Sequence, residues 1–265
     1  MEIPATTSAT DYTTNVPLDD LGPDTLYQYQ LGRDISGTFT TRREEAELDR
    51  FTILSSSCLK PGWPYNPFQH PLAVKGLTHL HNTVEQMAQR PEAPLFLGDF
   101  ISPVSDYTIS YYRELYRQVY SSPSWTPLLQ SIPWIHMFDD HEIINDFSPS
   151  STPQSTEMFE NAMEPYISYQ RSVNPPALTG SQPTYFSYEI GKVSFFILDN
   201  RSHRSAPAHR PGKKLNGWVW GKVNAGCAAV AGHEGLGGTA GKKRRQTPGI
   251  RVWCTCHEKL VRGKG

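Results

Sequence analysis

Apolar positions in the chain fall into four short, nearly unbroken runs, "FTIL", "PLFL", "WIHMF" and "SFFIL". Runs of four or five apolar residues between polar stretches predict buried strands. The segments between them change period. "GLTHLHNTVEQMAQR" brings Leu77, Leu80, Val84 and Met87 onto one helical face and stops before Pro91. "ISYYRELYRQVYSS" stacks Tyr112, Leu115, Tyr116 and Val119 at the same spacing, which predicts a helix packed on the sheet rather than a ligand cage. "TEMFENAMEPYISYQR" predicts a further helix, kinked at Pro165, and "TYFSYEIGKVSFFILDNR" a hairpin turned at Gly191. Strands alternating with helices predict layered α/β architecture from Phe51 onward. Ahead of it, two β runs around Thr25 to Leu31 and Gly37 to Thr41 stand apart. The "LGPDTLYQYQL" around the first carries a tyrosine suited to bond back at a corner before a strand.

Chemistry gathers where the apolar runs stop. Cys58, Asp99, the pair Asp139 and Asp140, and Asp199 each follow one of the four strands. Ligands of open α/β sheets bind beyond the carboxyl ends of strands, so these residues are candidates for one site. "FDDHE" is the sharpest element, because three carboxylates and an imidazole directly after a buried strand repel one another and require a positive partner, a metal ion foremost. The plain alternatives are a solvated helix-initiating turn for that stretch, a turn or cap for Asp99, and a small buried hydrophobe for Cys58. Arg201 and Arg204 in "LDNRSHRS" are ordinary surface charges on one reading and bidentate phosphate contacts on the other.

Composition narrows the field only modestly. With 265 residues, 37% of them apolar, the chain has enough for a sizeable core. Its net charge of −1 conceals a basic end, "GKKRRQTPGIR" and "CHEKLVRGKG", which gives no nucleic-acid-binding signal. Cys58, Cys227, Cys254 and Cys256 make no disulfide framework and leave the redox compartment open. No run reaches the roughly 18 apolar residues of a membrane span, and "MEIPATTSATDYTTN" lacks the order of a signal peptide.

Taken in order, "SSSCLKPGWPYNPFQHPLAVKGLTHL", "LFLGDFI", "YYRELYRQVYSSPSW", "IHMFDDHEIINDF", "SVNPPALTG" and "FFILDNRSHRS" resemble the PhoD-like (alkaline phosphatase D) metallophosphatases over about residues 12 to 205. The resemblance implies an α/β fold, a calcineurin-like α/β/β/α sandwich preceded by a remnant of an immunoglobulin-like β-sandwich, and a metal-dependent phosphoesterase acting on phosphate mono- or diesters. It implies Cys58, Asp99, Asp140 and Asn145 as metal ligands and His141 as the catalytic acid, to which the residue reading adds Arg201 and Arg204 as phosphate contacts. Iron and calcium are the implied metals, with zinc or manganese as alternatives. The other reading is a non-catalytic metal- or phosphate-binding protein, or an unstable incomplete product.

Two positions depart from that family. A metal-ligating tyrosine of the pattern falls on Ser102, and the resemblance stops after Ser205, before the family's late metal-binding motifs. The sequence therefore divides into a β remnant at 1–45, the first half of a metallophosphatase domain at 46–205, and a Gly- and Lys-rich tail at 206–265 expected to be disordered or aberrant.

Overall fold

The computed structural model describes residues 6–33, 35–62, 68–102, 105–147, 155–178, 184–199, 201–202, 229–232 and 252–254. The first elements are two antiparallel strands, β1 (Leu26–Leu31) and β2 (Ile35–Thr40), in register from Leu26 opposite Thr40 to Leu31 opposite Ile35. The Gly22 N–H donates to the Tyr27 hydroxyl at 2.9 Å where the chain enters this hairpin.

The apolar runs become β3 (Ile53–Ser56), β4 (Leu95–Leu97) and β5 (Ile135–Met137), paired in parallel in the order β5-β4-β3. Side chains alternate across a strand, and here each face meets its own core. Leu54, Phe96 and Phe138 point into a cluster with the helices, while Ile53, Leu95 and Met137 pack with Phe186, Ile190, Phe195 and Ile197 of an antiparallel sheet. Burial on both faces is the physical reason these strands read as continuous apolar runs rather than alternating ones. The antiparallel layer is the hairpin β6 (Phe186–Ile190) and β7 (Val193–Ile197), with Ile190 opposite Val193 and Gly191 at φ 55° in the turn. The molecule thus stacks helices on a parallel sheet, and that sheet on an antiparallel one.

On the helical side lie α1 (Lys75–Glu85), α2 (Ile109–Tyr120), the single turn α3 (Pro127–Gln130) and α4 (Ser155–Tyr169). The predicted stripes are the buried ones: Leu77 and Val84 of α1, and Tyr112, Leu115, Tyr116 and Val119 of α2. Thr108 caps α2 by accepting from the Tyr111 N–H, and Thr126 with Pro127 opens α3. α4 continues through Pro165 as one helix. Residues near the amino end are tied across α2 and α4. Arg113 donates to the Ser8 and Ala9 carbonyls and pairs with Glu164, Arg117 pairs with Asp11, and the Tyr169 hydroxyl donates to Asp11 at 2.6 Å.

The expectation of an unstructured tail over 206–265 falls almost wholly outside the described residues. The exceptions are β8 (Ala229–Gly232), antiparallel to β7, and β9 (Val252–Cys254), parallel to β3. Among the described residues no helix is long and apolar enough to cross a membrane.

One buried residue makes the fold sensitive to acid. His136 of β5 is 4% exposed among Phe96, Phe100 and Trp134, and burial drives its pKa down to about 3. In the unfolded chain the imidazole takes a proton below about 6.5, so the unfolded state gains protons that the folded state refuses. Stability is then present above that pH and lost as the pH falls toward 3. Between pH 7 and 5 the loss from this residue should be about 2 kcal/mol. Urea unfolding of the native chain and His136→Phe at both pH values tests this; equal losses in the two proteins would exclude His136 as the source.

Candidate metal and phosphate site

β3, β4 and β5 end side by side, and the turns that follow deliver the predicted residues to one place. Gly98 sits at φ 87°, and a Cβ there would lie 2.5 Å from the Asp139 Cβ, so only glycine lets the end of β4 come this close to the end of β5. Asp99 follows at φ 58°, and Cys58, beyond β3, takes φ 62°. Left-handed backbone at two non-glycine residues of one site is strain that the surrounding hydrogen bonds hold in place. The Cys58 N–H donates to the Gly98 carbonyl at 3.3 Å and the Leu59 N–H to the Asp99 carbonyl at 2.9 Å, joining the two turns.

Oxygen atoms of Asp99, Asp139 and Asp140 all lie within 4.8 Å of one another. Cys58 reaches this group through Asp99, its Sγ 3.3 Å from Oδ2. The His141 main-chain N–H points at Asp99 Oδ1 from 3.4 Å, and the imidazole Nε2 is 3.0 Å from Asn145 Oδ1. Asn145 in turn donates from Nδ2 to Asp146 at 3.0 Å. That bond fixes the amide's orientation, so His141 donates to Oδ1 and carries a proton on Nε2. Burial raises the Asp99 carboxyl above its ordinary range; the charges of Asp140 and Asp139 add to this, and His141 and Cys58 oppose it.

Of the residues expected here, Cys58, Asp99, Asp140, His141 and Asn145 converge, although Asn145 joins through His141 rather than by touching Asp99, Asp139 or Asp140. Arg201, beyond β7, arrives too: its guanidinium pairs through Nε with Asp139 and through Nη2 with Asp140 Oδ1 at 2.9 Å. Arg204 lies outside the described residues. Asp199 holds the Arg201 turn by accepting from the Arg201 and Ser202 N–H groups at 3.0 and 2.8 Å.

Two members of the "FDDHE" stretch, Asp139 and Glu142, stand among the sequence candidates without a role of their own. Asp139 lies inside the carboxylate cluster beside Asp140. Glu142, 1% exposed, accepts the N–H groups of Asp99 at 2.9 Å, of Asp139 at 2.7 Å, and of Phe100. It clips the turn after β4 to the turn after β5. Burial, and after it the charge of Asp99, pushes its carboxyl up to about 8, against the pull of those three donors. The donor set of carboxylates, thiol, amide and imidazole suits di- or trivalent cations with oxygen-rich shells.

A family model described as PhoD-like phosphatase matches residues 73–235. A solved structure titled "Structure of PhoD" superposes with a TM-score of 0.57 at 20% identity, covering 76% of this chain and 42% of that one. This chain therefore spans less than half the length of that protein. Comparison with curated proteins gives no match.

Proposed function

Because the chain belongs to the PhoD-like phosphatase family, we propose that it hydrolyses phosphate esters with metal ions held beyond β3, β4 and β5. The observation that carries the reading is the meeting of three carboxylates within 4.8 Å at the ends of adjacent parallel strands. On this reading Cys58, Asp99, Asp140 and Asn145 hold the metals, iron and calcium or alternatively zinc or manganese. When bound, the ions supply positive charge to the phosphoryl oxygens and make a nucleophile available from water near neutral pH. Asp99, in contact with Cys58 and the His141 N–H, would be one of the ligands on this reading. His141 holds a proton on Nε2, the atom that protonates the leaving oxygen. Arg201, and Arg204 with it, binds the phosphate oxygens through paired N–H groups.

The same reading takes the stacked layers as an incomplete calcineurin-like sandwich, and the β1–β2 hairpin, with its Gly22 to Tyr27 bond, as the remnant of an immunoglobulin-like domain. The purified chain, stripped with chelator and reloaded with Mn²⁺, Fe or Ca²⁺, should hydrolyse p-nitrophenyl phosphate or its bis-ester only when metal is present. Hydrolysis that persists in chelator would refute the reading. Metal bound without turnover would favour the non-catalytic binder instead.

A further inference from the structure

Three carboxylates crowded at strand ends need a cation, and the structure supplies one from the chain itself. Arg201 is 14% exposed in its side chain and bridges Asp139 and Asp140 with two different nitrogens. Asp140 is the more buried of the pair, and both of its oxygens are engaged. Oδ2 accepts the main-chain N–H of Asp146, while Oδ1 accepts Arg201 at 2.9 Å. The Asp146 donor belongs to backbone that packs through the buried Ile143 and Phe147 on either side. The Arg201 donor ends a long side chain from the turn after β7. Only the second can leave cheaply, and two cations on one carboxylate repel.

We infer that Arg201 is the resident counter-cation of the Asp139–Asp140 pair, and that a metal ion gains Asp140 by displacing its guanidinium. The inference rests on the metal reading above and adds an order of events to it. Before metal arrives, Arg201 offsets the repulsion between the carboxylates and keeps the two strand ends together. Once displaced, its planar fork is free beside the site, where a phosphate bearing two oxygens is the ligand its geometry matches. One side chain thus serves the empty and the loaded site in turn, and metal affinity is set partly by how tightly Arg201 holds.

Isothermal titration of Mn²⁺ into the chelator-stripped full chain reads this without recourse to turnover. Arg201→Gln removes the competing charge and should bind Mn²⁺ about tenfold or more tightly than the unaltered chain. Its melting temperature in chelator should be lower, and its rise on adding Mn²⁺ larger. Arg201→Lys keeps a cation but cannot span both carboxylates, so its affinity should fall between the two; if Arg201→Gln does not fold in chelator, this variant carries the test. Equal or weaker Mn²⁺ affinity in the variants, with binding to the unaltered chain intact, overturns the inference and leaves the metal site standing. Absence of Mn²⁺ binding in every variant overturns both.

Discussion

Replacing His141 by alanine should lower metal-dependent turnover about 10²–10⁴-fold, the range for loss of a positioned general acid, with little change in KM or metal content. The selectivity follows from how His141 is attached. Its contact with Asp99 is made by the main-chain N–H, which alanine keeps, whereas its imidazole faces Asn145 and the open side of the site. The substitution therefore removes a proton donor and leaves the carboxylate cluster as it was. Transition-state stabilisation lost without ground-state binding appears in kcat and in kcat/KM alike. Loss should also be smallest for esters whose leaving groups need no proton, so p-nitrophenyl esters should suffer less than alkyl esters. Turnover unchanged with both substrate classes would show that the acid is another group.

Glu142→Ala should destabilise the fold by about 3–5 kcal/mol, because three main-chain N–H groups, one buried and two part-buried, lose their buried acceptor at once. The groups belong to Asp99, Phe100 and Asp139, so the damage falls on the two turns that bring the carboxylates together. Urea unfolding gives the stability, and the Mn²⁺ stoichiometry of the folded fraction gives the geometry; both should fall. Glu142→Gln should recover part of the stability, since it returns one acceptor and sets an NH₂ group against the remaining N–H. A fully stable Glu142→Ala would mean that water or backbone replaces the carboxylate, and that the clip is dispensable.

Strand positions were readable because β3, β4 and β5 bury both faces, which leaves little room for polar residues. The α2 stripe was readable because four apolar side chains recur at helical spacing over twelve residues. α3, with four residues, has too little length to show a period. Candidate ligands at the strand ends were visible as residue types in suspicious places. Which of them share a cluster was not, because that depends on left-handed backbone at Cys58 and Asp99 and on a missing Cβ at Gly98. Nor could spacing reveal that the cation required by "FDDHE" would come from Arg201, some sixty residues away. The pairing of Ile53 with Val252 is likewise a long-range choice with no local trace.

The tie between residues 8–11 and the helices α2 and α4 changes how this segment behaves. Segments outside regular structure usually open locally, exchanging their amide hydrogens at nearly the rate of an unfolded peptide. Here Asp11 is gripped by Arg117 and Tyr169, and the carbonyls of Ser8 and Ala9 by Arg113, so this segment cannot lift without breaking contacts with both helices. Those same helices turn Tyr112, Tyr116 and Tyr166 into the main core. The leading segment therefore opens together with the interior, as part of one cooperative unit, and a cut before Thr13 would be felt in the packing of the helical layer rather than at the surface alone.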